Sequence, residues 1–100
     1  MTADLTATEA LAAVDDGAML LDVREDFEWD DGHAPHAVHI PMGQLGERLS
    51  ELPTDRTIVC ICHVGSRSAA VADALNRAGW TAVNVGGGMA AWAAAGLDIV

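Results

Sequence analysis

A cysteine, a histidine and an arginine fall within one six-residue segment, Cys62 to Arg67, which has the composition of a small reactive loop. Residues 57–61 are apolar and β-branched after the first position and predict a buried strand, and residues 67–78 predict a helix. A tight turn between a strand and a helix directs main-chain N–H groups inward, and Gly65 permits the backbone angles that this curl needs. Such donors favour the thiolate, which is the nucleophilic form of cysteine. The sequence therefore predicts that Cys62 is a reactive thiol.

The size of the expected effect supports that prediction. A free cysteine is only about 3% thiolate at pH 7. A helix N-terminus contributes up to roughly 2 kcal/mol in a partly buried site, and main-chain hydrogen bonds add to it. Cys62 can then act as a nucleophile without a dedicated general base. The alternative interpretation is an inert buried thiol at the end of a strand, since free cysteines are among the most buried residues.

Strands that alternate with helices must position this loop. Thr6 and Glu9 form a capping box that opens a helix ended by Gly17. The expected strands are residues 19–23, 37–40, 57–61 and 81–85, and the further expected helices are residues 25–31, 43–52, 67–78 and 89–95. This alternation predicts an α/β domain with a mainly parallel sheet, whose ligands bind beyond the carboxyl ends of the strands. The loop from Cys62 onward lies at such an end.

Length and charge narrow the classes of function. One hundred residues fit one domain, residues 1–100, and the formal charge of −10 comes from fifteen acidic residues against five arginines. A surface this negative repels nucleic acid and anionic lipid. Six of the acids fall within residues 22–31. That run is interpreted as a solvated helix face, with a docking surface for a basic partner as the alternative.

The sequence also indicates a compartment. It has no run near the roughly 20 apolar residues of a membrane span, and its start lacks the features of a signal peptide. A cytoplasmic protein with reduced thiols is expected. Cys60 and Cys62 are too close for a loop-closing disulfide and too few for a closed zinc site unless histidines join, so neither a metal nor a cofactor is expected.

Four segments, in order, resemble the rhodanese homology family over nearly the whole chain. Residues 20–25 resemble its D-V-R stretch, and residues 32–37 with Ile40-Pro41 resemble its G-H-I-P-G-A and I-P segment. His36 stands where the family usually has Gly, so that turn must accept a side chain. Residues 62–67 match its C-x-x-G-x-R loop. Residues 84–92 with Gly96 resemble its closing G-G-x-x-x-W-x-x-x-G.

The resemblance implies a rhodanese-like three-layer α/β fold with a central, mainly parallel five-stranded sheet flanked by helices. It also implies a sulfurtransferase that moves sulfane sulfur from a donor such as thiosulfate to cyanide or a thiol through a Cys62 persulfide. A sulfur-relay protein is a further candidate partner. In phosphatase-like relatives this loop is one residue longer than the segment from Cys62 to Arg67. The shorter loop here therefore favours sulfur transfer. The alternative function is a non-catalytic or regulatory module that docks to a partner protein.

The remaining candidate residues have supporting roles in this interpretation. By the resemblance, Asp22 and Arg24 help to fix the surroundings of the loop. His63 and Arg67 would attract an anionic donor, although Arg67 equally fits an outward orientation from its helix. Cys60 is expected in the core. The active-site loop comprises His63, Val64, Gly65, Ser66 and Arg67, and the glycines at 86–88 are expected to form only a tight turn before a helix.

Overall fold

A five-stranded parallel sheet forms the centre of the computed structural model, which describes residues 3–100. The strands lie in the order β1-β5-β4-β2-β3, and every neighbouring pair is parallel. Their bounds are β1 Asp4–Leu5, β2 Met19–Asp22, β3 Val38–His39, β4 Ile58–Ile61 and β5 Ala82–Val85. The helices are α1 Ala7–Asp15, α2 Asp26–Asp30, α3 Ser66–Arg77 and α4 Gly88–Ala94. The predicted α/β fold with a parallel sheet is confirmed.

The sheet is covered on both faces, which explains its continuous apolar strands. All four residues of β2 and all four of β4 are buried. Alternate residues of β4 point to opposite faces: Ile58 and Cys60 pack with α3, whereas Val59 and Ile61 pack with α1 and α4. The two cores make the three layers that the resemblance implied.

Two local expectations are confirmed. The Thr6 hydroxyl accepts from the Glu9 amide at 3.1 Å, and the Thr6 amide donates to the Glu9 carboxylate at 2.9 Å, which is the predicted capping box. His36 adopts a φ of +64°, so the turn that usually contains Gly does hold a side chain in the left-handed region.

Two other elements differ from the expectations. Residues 43–52 do not form an α-helix: they lie in two 3₁₀ helices, Met42–Glu47 and Leu49–Glu51. Gly43 and Gly46 lower the helical propensity of this segment, while Leu45 and Leu52 still reach the core. The strand β1 was not located from the sequence, because its two residues are too short to show a periodicity.

Both β2 and β4 end at the same edge of the sheet. Asp22 pairs in register with Ile61, and the amide of Val23 donates to the Ile61 carbonyl at 3.1 Å. Cys62 follows immediately, so the predicted loop lies at the carboxyl edge. No helix within residues 3–100 combines the length and apolar character needed to cross a membrane.

Candidate active site

The sulfur of Cys62 lies at the centre of the turn between β4 and α3. The amide of Gly65 donates to Sγ at 3.1 Å, and the Ser68 hydroxyl donates to it at 3.2 Å. Gly65 has a φ of +106° and immediately precedes α3, so the curl depends on a backbone conformation that side chains disfavour. Cys62 is 0% exposed. The side chain is therefore enclosed by the turn and the first residues of α3.

Opposing influences act on the ionisation of this thiol. Burial raises the pKa of Cys62. The Ser68 hydroxyl and amide, together with the amides of Gly65 and Arg67, lower that pKa by more, so it lies below the ordinary cysteine value. Cys60, two residues earlier in β4, lacks this set of donors, and burial followed by repulsion from Cys62 raises its pKa to about 12. Two neighbouring thiols thus have opposite chemical character.

The N-terminal end of α4 fixes the orientation of the loop. The amides of Met89 and Ala90 donate to the carbonyls of Cys62 and His63 at 2.8 and 3.0 Å. Because the C=O and N–H of one peptide plane point in opposite directions, these bonds turn the following amides away from α4. The side chain of Asn84 makes a third hydrogen bond to the loop, since its Nδ2 donates to the Gly65 carbonyl at 3.1 Å.

Gly88 permits this close approach of α4. A β-carbon at Gly88, whose φ is +56°, would lie 2.6 Å from the His63 carbonyl oxygen and closer still to that of Cys62. Gly88 therefore does more than form the tight turn that the sequence indicated. The available signal was three consecutive glycines before a helix at the same sheet edge, but the sequence alone does not show what they contact.

Arg67 points toward α2 and binds a carboxylate there. Its two terminal nitrogens donate to the two carboxylate oxygens of Glu28 at 2.7 and 2.8 Å. This is a bidentate pair, the strongest geometry for these groups. Glu28 was not among the residues that the sequence singled out, because it is separated from Arg67 by 39 positions. The pair neutralises the charge that Arg67 was expected to offer a donor.

Asp22 and Arg24 form a buried ion pair at the end of β2 that contacts α2. Arg24 is 5% exposed, and its guanidinium donates to both carboxylate oxygens of Asp22, the shortest bond being 2.8 Å. It also donates to the main-chain carbonyls of Glu28 at 3.1 Å and Gly32 at 2.9 Å. Arg24 thus links the end of β2 to the main chain within α2 and just after it. These bonds help to hold Glu28 in position to bind Arg67.

The Trp29 ring of α2 contacts two histidines. The rings of His33 and His39 stack on Trp29, with centroids 3.5 and 4.6 Å away. The Nδ1 of His33 lies 3.1 Å from the carbonyl of Ala34, and the Nε2 of His39 lies 2.7 Å from the carbonyl of Arg24. These contacts fix the turn after α2 and are structural.

A cleft of about 350 Å³ lies beside the loop. His63, exposed on the loop, forms part of its wall, while Val64 is 57% exposed. Across the cleft Phe27 is 74% exposed. The cleft is lined by Arg24, Phe27, Glu28, Asp31, Gly32, His63, Met89, Ala90, Ala93 and Ile99. The lining is thus mainly apolar and carries both acidic side chains, Glu28 and Asp31, and basic ones, Arg24 and His63.

Replacing Ser68 by alanine removes one donor from the sulfur, and we expect the pKa of Cys62 to rise because the thiolate loses a hydrogen bond. The rate of alkylation by iodoacetamide at pH 7 should fall by about 3- to 10-fold. Ser66→Ala is the matched control, since Ser66 is exposed on the same loop. Equal alkylation rates in wild type and Ser68→Ala would contradict the assignment of this donor.

The Arg67–Glu28 pair should make stability depend on pH in the acid range. Its hydrogen bonds with Arg67 lower the pKa of Glu28 from 4.5 to about 2 in the folded protein. A carboxyl whose folded pKa is depressed contributes stability above its unfolded pKa and loses it as pH falls through the folded one. In urea unfolding, the free-energy difference between wild type and Glu28→Gln should therefore shrink from about pH 4.5 to about 2. A difference that stays constant over this range would exclude the pair as its source.

Comparison with known proteins places this geometry in a family. A family model described as Rhodanese-like domain matches residues 6–95. The chain is 46% identical over 78 residues to YtwF of Bacillus subtilis, covering 78% of this chain and 76% of that protein. It is 38% identical over 94 residues to a sulfurtransferase of Allochromatium vinosum, covering 93% and 87%.

A solved structure gives the same result. The rhodanese-related protein of Thermoplasma volcanium superposes with a TM-score of 0.91 at 32% identity, covering 98% of this chain and 97% of that one. Its likeness extends over the sheet and the helices that flank it. Sulfur transfer is the general activity that the relatives support. The chain belongs to the rhodanese-like domain family.

Proposed function

We propose that the protein is a sulfurtransferase in which Cys62 alternates between a thiolate and a persulfide. The observation that carries the proposal is the sulfur of Cys62 with donors at 3.1 and 3.2 Å and a pKa below the ordinary value. A thiolate held in this way is a nucleophile that needs no neighbouring base. The exposed His63 stands beside the approach to it.

The proposed reaction has two displacements. In the first, the Cys62 thiolate attacks the outer sulfur of a donor such as thiosulfate, an S–S bond forms, and the donor's own bond to that sulfur breaks. Its electron pair leaves with the donor remnant, which is sulfite when the donor is thiosulfate. In the second, cyanide or a thiolate attacks the outer sulfur of the persulfide, and the electron pair of the broken S–S bond returns to Cys62. No net oxidation, metal or cofactor is required.

The loop would stabilise both forms of the sulfur. The persulfide is itself an anion at neutral pH, so the donors that favour the thiolate also favour the loaded form. The residues of this cradle are His63, Val64, Gly65, Ser66 and Arg67, with Asp22 and Arg24 as support. The short loop from Cys62 to Arg67 fits an extended sulfur chain better than a tetrahedral oxyanion. The proposal includes a cytoplasmic location, where thiols stay reduced, and a protein partner in sulfur relay.

The direct test is the mass of the intact protein after incubation with thiosulfate, with inorganic polysulfide, and with a cysteine desulfurase and its substrate. We expect a gain of one sulfur atom that maps to the peptide containing Cys62 and is removed by cyanide. The absence of that gain with all three donors would contradict the proposal. It would favour the non-catalytic module, which predicts that Cys62 is dispensable for partner binding.

A further inference from the structure

We infer that Glu28 determines charge selectivity at the proposed sulfur-transfer site, favouring cationic or uncharged thiol acceptors over anionic ones. This inference rests on the proposed function, because it concerns the second displacement at Cys62. Its basis is the bidentate contact between Glu28 and Arg67 at 2.7 and 2.8 Å, which neutralises the arginine of the reactive loop. Glu28 acts through Arg67 and through the field of the cleft and is a specificity-determining residue rather than a nucleophile or base.

Both arginines near the site are already paired with carboxylates. Arg24 binds Asp22 and two main-chain carbonyls, and Arg67 binds Glu28. Exposed negative charge lies around them, contributed by Glu25, Asp26, Asp30 and Asp31 on and beside α2. Asp31 also lines the cleft. An acceptor that carries a carboxylate is therefore repelled as it approaches, whereas an ammonium group is attracted.

The apolar wall of the cleft suits the body of such an acceptor. Phe27, Met89, Ala93 and Ile99 contribute side chains to a space of about 350 Å³, enough for a short alkyl arm. Phe27 and Ile99 are 74% and 45% exposed, so this wall is open to a molecule arriving from solvent. The cleft thus suits an acceptor thiol that has an aliphatic chain and a neutral or positive group at its far end.

The chemical step is the same for every acceptor. The acceptor thiolate attacks the outer sulfur of the Cys62 persulfide, the acceptor becomes a persulfide, and Cys62 leaves with the electron pair as a thiolate. The group at the far end of the acceptor also changes the pKa of the thiol and therefore the intrinsic nucleophilicity of its thiolate. Each rate is therefore divided by the rate of the same thiolate with a small-molecule persulfide, and the remaining difference reports the electrostatics of the cleft.

The experiment uses the full chain loaded with one sulfur on Cys62 and freed of donor. Unloading is followed by intact mass with three thiols that share a two-carbon arm: cysteamine, 2-mercaptoethanol and 3-mercaptopropionate. Relative to the rate of the same thiolate with a small-molecule persulfide, we expect cysteamine to react fastest and 3-mercaptopropionate slowest, with a spread of about tenfold that narrows at high salt. An inverted order, or equal rates, in the wild-type protein would overturn the inference.

Two variants separate the local effect from net charge. Glu28→Gln releases the charge of Arg67 and should reduce the ratio of the cysteamine rate to the 3-mercaptopropionate rate by about fivefold. Asp30→Asn removes one negative charge from the same helix, away from the cleft lining and from Arg67, and should leave the ratio within about twofold. An equal change in both variants would refute a specific role for Glu28.

The outcomes also distinguish this inference from the proposed function. Failure of the wild-type chain to load a sulfur would contradict the persulfide mechanism itself. Loading followed by the wrong order of acceptors would contradict only the selectivity. The wild-type order and its salt dependence test the inference even when Glu28→Gln fails to fold.

Discussion

Replacing Cys62 by serine is expected to abolish persulfide formation and to lower the rate of sulfur transfer by about 10³-fold or more. The hydroxyl of serine cannot form a persulfide, and its much higher pKa leaves it un-ionised at neutral pH. Thiosulfate:cyanide turnover and the intact mass after incubation with donor would both measure the loss. The fold should survive, because the two side chains are nearly the same size.

Cys60→Ala is the matched control for that variant. Cys60 is buried in the core beneath α3, and its pKa of about 12 leaves it as a neutral thiol. We expect some loss of stability from the small cavity but the same gain of one sulfur per chain. Transfer activity that persists in Cys62→Ser and disappears in Cys60→Ala would contradict the assignment of the nucleophile.

Gly88→Ala is expected to reduce stability by about 3 kcal/mol and to disrupt the reactive loop. The added methyl group would overlap the carbonyl oxygens of Cys62 and His63, and the φ of +56° is unfavourable for any side chain. Moving α4 away to relieve the overlap breaks the hydrogen bonds from Met89 and Ala90 that orient the loop. Urea unfolding and the alkylation rate of the cysteine should therefore both change.

Gly96→Ala separates backbone strain from overlap. Gly96 has a φ of +73° and no atom within 4 Å of the position that a β-carbon would take. Only the conformational cost remains there, about 1 kcal/mol, with no change in the reactivity of Cys62. Comparable losses of stability and reactivity in Gly88→Ala and Gly96→Ala would contradict the claim that the overlap with the loop carbonyls causes the effect of Gly88→Ala.

The reactive loop was predictable because its determinants are local. An apolar strand, a cysteine, a glycine with positive φ and a helix follow one another within about twenty residues, and the turn that joins them has few solutions. The central strands were predictable for the same reason, since their apolar runs are continuous. Cys62 and Gly65 could thus be placed in the turn from sequence alone.

The groups that complete the site come from distant parts of the chain and left no local signal. Glu28 lies within an acidic run in which Glu25, Asp26, Asp30 and Asp31 are exposed, and nothing in the sequence marks it as the partner of Arg67. Asn84 lies in β5 and Gly88 begins α4, so both belong to a different βα unit, and their contact with the loop depends on the order of the strands. Residues 43–52 were wrongly predicted as an α-helix because the leucine spacing outweighed the two glycines in that interpretation.

The central claim is that the donors around Cys62 lower the pKa of its thiol and so favour the thiolate. The most direct measurement is the ultraviolet absorbance of the thiolate as a function of pH, taken as the difference between wild type and Cys62→Ser. The chain contains no tyrosine, whose ionisation would overlap this signal. We predict a single titration whose pKa lies below that of an unperturbed cysteine thiol, because the hydrogen bonds from Ser68 and from the amides of Gly65 and Arg67 favour the thiolate. A titration at or above that value would contradict the account.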